Sequence, residues 1–315
     1  MPKRIRVTAL GVPHDYKSSL IPLLIHTAGY TIEWTVVSKC DLLILGPFVA
    51  KPAKRHRWFP KAIRPALNRL ENYFTQRRQR PLSLFQTAEN IRHDEVIADY
   101  SISYDLGVNK KNHFRFPYWM EFIDWAHEGV AGNANPRFGA LLQIARLMSP
   151  LGGEFLKKPR RAALFSSHLR EPRRLLFEKL ADVMEVEGFG PYFDSSISNH
   201  HNSKFSKNDI LKTFAFNLCP ENGIYPGYFT EKIPEAFAAN SLPITWADSN
   251  VIADFNSESF INMQPHAWQD FAPVLDLVND EKQLQRFADE PLMRKEPTLA
   301  NVKRYLAEIL AQAIS

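Results

Sequence analysis

The feature that most constrains this chain is a repeated alternation of short, unbroken apolar runs with amphipathic stretches, arranged in two blocks. Cys40–Leu45 is such a run, too short for a helix and apolar throughout, as a strand covered on both faces should be. In the first block, strands are expected at Arg4–Leu10, Tyr30–Val37, Cys40–Leu45, Leu82–Thr87 and Tyr100–Tyr104. Helices are expected at Ser18–Ala28, Phe116–His127 and Arg137–Met148. Gly152-Gly153 and the basic Lys157–Arg161 read as a linker. The second block has strands at Ala162–Ser166, Ala215–Cys219 and Leu242–Trp246, and helices at Glu171–Val183 and Thr230–Ala239. Pro172 lies near a first helical turn, where its missing N–H is harmless. An amphipathic helix closes the chain at Leu299–Ile314. This pattern predicts an α/β protein of two domains with mainly parallel sheets, whose ligands bind at the carboxyl ends of strands. The expected boundaries are 1–155, 156–298 and a C-terminal helix, 299–315, that packs across the domains.

Charge is unevenly placed along the 315 residues. Of 39 Lys and Arg and 34 Asp and Glu, ten basic residues and one acid fall between Lys51 and Arg80, leaving 29 basic against 33 acidic elsewhere. The basic segment interleaves cations with Trp58, Phe59 and prolines, so a nucleic-acid arm is one reading. The spacing Ile63, Leu67, Leu70, Phe74 gives an amphipathic helix, suited to an anionic lipid face or simply to packing on the first domain. Lys54, Arg55, Arg57 and Trp58 are its candidate acceptor or membrane contacts. Cys40 and Cys219 are far apart in apolar surroundings and read as buried free thiols of a reducing compartment. Apolar runs such as Leu20–Ile25 fall short of the ~20 residues that cross a bilayer. A cytoplasmic protein, at most peripheral on the inner membrane face, is expected. His200-His201 does not place two imidazoles on one face, and no Asp-x-Asp pair suggests a metal site.

The window Ala215–Trp246 carries the most chemistry. A strand leads into Glu221-Asn222, a Gly/Pro/Tyr loop, and then Thr230-Glu231-Lys232 at the start of a helix. Thr230 suits an N-cap, and Glu231 sits where the helix dipole favours an anion. Lys232 is unfavourable there unless something negative holds it, as a bound diphosphate would. An ordinary capped helix after a polar loop explains the same residues, and the residues alone leave the two readings level.

Phe216-Asn217-Leu218, Glu221-Asn222, Gly227-Tyr228, Thr230-Glu231-Lys232 and Pro243-Ile244-Thr245-Trp246 together resemble the signature of the family 10 glycosyltransferases, the α-1,3/4-fucosyltransferases. Asp254-Phe255-Asn256 and Ser259-Phe260-Ile261-Asn262 are similar to the pattern downstream in bacterial members. Ser166-Ser167-His168 with Arg173, and Val186-Glu187-Gly188-Phe189-Gly190, fall in the same order upstream. So do Thr87-Ala88-Glu89-Asn90, Asp99–Asp105 and Arg115-Phe116-Pro117 in the first half. Ala247 stands where the family has Gly, and Pro191-Tyr192 where it has Lys-Cys.

The resemblance implies a GT-B architecture, two Rossmann-like domains facing a central cleft, and an inverting transfer from GDP-β-L-fucose to a GlcNAc-containing glycan in α-1,3 or α-1,4 linkage. It implies Glu89 as general base, and Arg173, Asn217, Glu221, Asn222, Tyr228, Thr230, Glu231 and Lys232 as donor-binding residues. Arg173 and Lys232 would meet the diphosphate, Glu231 the ribose hydroxyls, and Tyr228 would line the nucleotide pocket. The chemistry agrees, since a weakly acidic alcohol needs a carboxylate nearby and a diphosphate leaving group needs cations. No cofactor is expected to be required, with Mn²⁺ or Mg²⁺ at most a stimulant. The expected partners are the GDP-sugar and an oligosaccharide or glycolipid acceptor. Rivals remain at each position: Asp94, Glu95 and Glu221 to Glu89 as base, a surface salt bridge for Glu89, and Arg170 and Arg174 to Arg173. Another GDP-6-deoxy sugar, or a non-catalytic basic nucleic-acid-binding protein, is the alternative function.

Overall fold

The computed structural model describes residues 2–49, 80–194, 206–264 and 272–315. Lys54, Arg55, Arg57 and Trp58, and the pair His200-His201, lie outside the described residues. The first sheet has six strands: β1 (Lys3–Leu10), β2 (Tyr30–Trp34), β3 (Leu42–Leu45), β4 (Leu82–Gln86), β5 (Tyr100–Ser103) and β6 (His113–Arg115). Their order is β2-β1-β3-β4-β5-β6, every pair parallel. The second has five: β7 (Arg161–Phe165), β8 (Glu185–Phe189), β9 (Phe216–Leu218), β10 (Leu242–Thr245) and β11 (Ile261–Asn262). They run β11-β10-β9-β7-β8, again parallel throughout. The apolar run at β3 is a central strand covered on both faces, and β10 is buried along its whole length.

In the second sheet the chain leaves β7 for β8 on one side and returns to β9 on the other. The strand order therefore reverses between β7 and β9, and the loops after them splay apart to open a crevice. The strand β8, with sequence EVEGF, has no apolar run to announce it. As an edge strand it needs only one covered face, and Glu185 and Glu187 point to Arg161 at 3.7 and 3.5 Å.

Two expected helices are largely replaced. Phe116–His127 forms 3₁₀ turns at Tyr118–Phe122 and Ala126–Glu128, because long-range hydrogen bonds compete with the helical ladder. Asp124 N donates to Leu142 O (2.9 Å), and the Asp124 carboxylate accepts from Ala126 N (3.0 Å). In Arg137–Met148 only Ile144–Leu147 is helical, since Gly139 takes φ +99° and breaks the run. Both cysteines are buried, and neither forms a disulfide among the described residues.

The helix Ala300–Ala313 buries Val302, Leu306, Ile309 and Leu310 at helical spacing, against the first domain. The Tyr305 ring stacks on Phe114 (5.3 Å) and its hydroxyl donates to Ser101 O (3.3 Å). Lys303 pairs with Glu128 (2.9 Å). The chain thus ends on the domain in which it began. No described helix is long and apolar enough to cross a membrane.

Glu121 links the β4 end to the helix Leu20–Thr27. Its carboxylate accepts from Leu20 N (2.9 Å) and from Gln86 Nε2 (3.2 Å). Burial raises its pKa to about 7, and those two donors offset only part of the rise. With the folded pKa above the unfolded one, this group stabilises the fold fully below pH 4.5 and progressively loses that contribution as pH rises through 7. Glu121→Gln keeps an acceptor for Leu20 N and carries no charge. Its Tm is expected to exceed that of the unaltered protein at pH 8 and to match it near pH 4.5; an equal shift at both pH values would overturn the assignment.

Candidate active site

The carboxyl ends of β4, β7 and β9 open onto one cavity of about 330 Å³. The first domain contributes Ala88, Glu89, Tyr118, Pro136 and Arg137; the second contributes, among others, Ser166, His168, Arg173, Asn217, Asn222, Tyr228, Glu231 and Lys232. The walls meet at the strand-order reversal, the place where doubly wound sheets take ligands.

Lys232 opens the helix Lys232–Ala238. Its Nζ donates to Glu221 Oε2 (2.6 Å) and to Thr230 Oγ1 (2.7 Å), which leaves the third ammonium proton for a ligand. Burial lowers its pKa, but Glu221 and Glu231 more than offset this, so the net direction is upward. Glu221 was expected to touch the donor. It is instead fully buried behind the cavity wall, accepting from Thr230 N (2.8 Å), Thr230 Oγ1 (3.0 Å) and Lys232. Its role is counter-ion and anchor. Thr230 likewise does not cap the helix: Glu231 occupies the N-cap position, and the Thr230 hydroxyl is taken by Glu221 and Lys232.

Arg173, 6% exposed, opens the helix Arg173–Ala181. Its guanidinium donates to Ser166 Oγ (3.1 Å), approaches His168 Nε2 (3.0 Å) and reaches the Asn222 side-chain oxygen. Burial pulls its pKa down from the ordinary arginine value against the opposing charge of Glu221, yet an arginine remains cationic. Asn222 in turn donates to the Tyr228 hydroxyl (3.4 Å). Of the rivals, Arg174 is committed to surface pairs with Glu171 and Glu178. Asn217, 1% exposed in the middle of β9, has a buried side-chain NH₂ with no hydrogen-bond partner among the described residues and lines the cavity. An unmet buried donor costs about 1–3 kcal/mol, which a ligand oxygen would relieve.

Glu89 lies on the opposite wall, exposed, on the loop after β4. The Thr87 hydroxyl accepts from Glu89 N (3.1 Å) and donates to Glu89 O (3.0 Å), which turns the chain there. Among the described residues none forms the surface salt bridge with Glu89 that the sequence leaves open. Its rival Glu95 accepts instead from Arg92 N (3.1 Å).

Among the lining residues that the sequence did not single out are Tyr118, Arg137, Lys207 and Glu235. The Glu235 carboxylate is buried and accepts from Asn135 (2.9 Å) and Lys207 (2.8 Å). One signal for it existed, since it stands four residues after Glu231 on the same helical face. Burial raises the pKa of Glu235, whereas Lys232, Lys207 and Arg137 outweigh burial at Glu231 and lower its pKa. The site therefore holds an ionised carboxylate at Glu231 among four cations. Among the described residues, no three His, Cys, Asp or Glu side chains are grouped to hold a metal ion.

Two parallel, doubly wound sheets sharing a polar cleft with buried cations at a switch point form the GT-B architecture of glycosyltransferases. Three solved α1,3-fucosyltransferase crystal structures superpose on the chain with TM-scores of 0.66 to 0.68, covering 98–100% of it and 91% of each structure, at 19–22% identity. One contains GDP-fucose and another GDP. Residues 155–289 match the family model of the C-terminal domain of glycosyltransferase family 10 (fucosyltransferase). An α-(1,3)-fucosyltransferase of Helicobacter pylori is 26% identical over 211 residues, 62% of this chain and 43% of that protein. A putative fucosyltransferase of Acanthamoeba polyphaga mimivirus is 26% identical over 117 residues, 34% of this chain and 20% of that protein. The matches thus span less than half the length of either relative.

Proposed function

We propose that the protein is an inverting fucosyltransferase that moves L-fucose from GDP-β-L-fucose to a hydroxyl of a GlcNAc-containing glycan, forming an α-1,3 linkage. The observation that carries this is the cavity itself: the Glu89 carboxylate, without an ion pair among the described residues, shares it with buried Arg173 and part-buried Lys232 at a strand-order reversal. The Helicobacter pylori relative and the three solved structures are named as α-1,3-fucosyltransferases, which favours that linkage over α-1,4.

In this reading Glu89 takes the proton of the acceptor hydroxyl as its oxygen bonds to fucose C1. The bond from C1 to the β-phosphate oxygen breaks, and GDP leaves on the opposite face, which inverts the anomeric centre. Negative charge grows on that oxygen, where Lys232 offers its unused proton and Arg173 its guanidinium. In the same reading Glu231, which lines the cavity, accepts from ribose hydroxyls, Asn217 offers an amide to the nucleotide, and Tyr228 closes the pocket beside Asn222.

Titration calorimetry with GDP tests the donor site. Micromolar-range binding is expected for the unaltered protein, weakened at least tenfold in Arg173→Ala, because charge-assisted hydrogen bonds of about 1.5–3 kcal/mol are lost. Transfer is expected to persist in EDTA, since side-chain cations meet the diphosphate. Undetectable GDP binding would end the proposal, and loss of transfer in EDTA would put a divalent ion on the donor. GDP-fucose and other GDP-6-deoxy sugars, offered against N-acetyllactosamine, decide the sugar.

A further inference from the structure

The seam between the domains beside the cavity is built around one residue. Tyr104 follows β5 and is 1% exposed. Its hydroxyl donates to the side-chain oxygen of Asn90, the neighbour of Glu89 (3.2 Å). Its ring meets two rings of the second domain edge-on, Tyr228 at 4.9 Å and Tyr225 at 5.9 Å. Its carbonyl lies against Gly227, where a Cβ would come within 2.2 Å of the oxygen; Gly227 also takes φ +91°, so no other residue fits. The same carbonyl accepts from Arg115 Nε (3.2 Å). The Arg115 guanidinium then crosses to the second domain in a two-pronged pair with Asp254 (2.9 and 2.8 Å), to which Trp119 Nε1 also donates (3.2 Å). Asn90 itself reaches the donor loop, its NH₂ lying where a side chain on Gly223 would be. Burial, and then Asp105, push the Tyr104 hydroxyl above the ordinary tyrosine range, so it stays protonated and donates.

We propose that Tyr104 is a positioning residue that fixes the Glu89 carboxylate relative to the donor by tying the 87–93 loop of the first domain to the 222–228 loop of the second. This rests on the reading of Glu89 as base. The loop carrying Glu89 is exposed at Glu89 and Asn90 and is held besides by His93 N on the Asp105 carboxylate (2.9 Å) and by Arg92 over the Tyr225 ring (4.0 Å), whereas the donor cations sit in a closer network. A base acting across two domains needs its distance to the reacting carbon set to a fraction of an ångström, and a displacement of about 1 Å can cost a hundredfold in rate. Tyr104 supplies the buried connection, through Asn90, with Arg115 and Asp254 holding its backbone from behind. Arg115-Phe116-Pro117 and Asp254-Phe255-Asn256, far apart in sequence and without a role at the cavity, here meet as two ends of one strut.

The test is transfer from GDP-fucose to N-acetyllactosamine by the full chain in four forms: unaltered, Tyr104→Phe, Glu89→Gln and the double variant. Tyr104→Phe keeps the ring and loses only the hydroxyl. Its kcat is expected to fall ten- to a hundredfold, with the donor KM, GDP affinity and Tm little changed. The double variant is expected to be no slower than Glu89→Gln alone, because a residue that acts through Glu89 has nothing left to position. Asn90→Ala, at an exposed site, should reproduce the loss and not add to it. An unchanged kcat in Tyr104→Phe, or the same fold loss on the Glu89→Gln background, overturns the proposal while leaving Glu89 as base. Glu89→Gln at full kcat, or no transfer by the unaltered protein, overturns the underlying reading and this inference with it.

Discussion

The Lys232→Ala protein is expected to lose measurable GDP affinity and to melt roughly 10 °C below the unaltered protein at pH 7. The two effects have separable causes. Lys232 is the counter-ion of Glu221, which is fully buried and has Thr230 as its other partner. Removing one member of such a pair leaves an uncompensated buried charge, typically costing about 3–5 kcal/mol. At ~2–4 °C per kcal/mol for a protein of this size, a fall near 10 °C follows. Adding Glu221→Gln to Lys232→Ala removes the stranded charge while keeping an acceptor for Thr230. The double variant should recover most of the lost Tm and none of the GDP affinity. Differential scanning calorimetry and titration calorimetry read the two quantities independently. Recovery of both together would mean that Lys232 serves the fold alone, and a Tm unaffected by Lys232→Ala would mean that Glu221 is not held as an anion.

Glu89→Gln should show the opposite signature. The side chain is exposed and makes no ion pair among the described residues, so folding and GDP binding should both survive. A positioned general base is worth about 10²- to 10⁴-fold, and kcat for transfer should fall within that range while the donor KM stays near its original value. Loss of GDP affinity in this variant would place Glu89 in the donor site. Normal transfer would pass the role to another carboxylate, with Glu231, ionised and lining the same cavity, first in line.

How far the sequence reached is clear from particular residues. The apolar runs at Cys40–Leu45 and Leu242–Trp246 announced central parallel strands, because a strand covered on both faces leaves no room for polar alternation. The edge strand β8 was missed because it has only one face to cover and carries Glu on the other. The segment from Phe116 was apolar enough for a helix and became turns, since backbone groups such as Asp124 N found partners near Leu142 that no local rule anticipates.

The same division holds at the site. That Arg173, Lys232, Asn217 and Glu89 line one cavity was legible, because each falls in a recognisable short motif in a strand or in the segment that follows one. What Glu221 does was not: a carboxylate beside a cavity and one buried behind its wall share the same sequence spacing, and only burial tells them apart. Lys207 and Arg137 had no local signal at all.

By itself the sequence determined two doubly wound domains, the strand ends at which a ligand would lie, and a base candidate and a cation pair of suitable chemistry. Only the tertiary structure decided which of those charges faces the cavity and which is spent holding another in place. It also brought Asn135 to Glu235 and Arg115 to Asp254, pairs separated by 100 and 139 residues. The reason is physical. Periodicity and turn chemistry act over a few residues and survive in the sequence as pattern, whereas desolvation and ion pairing depend on which surfaces meet when two domains close on each other.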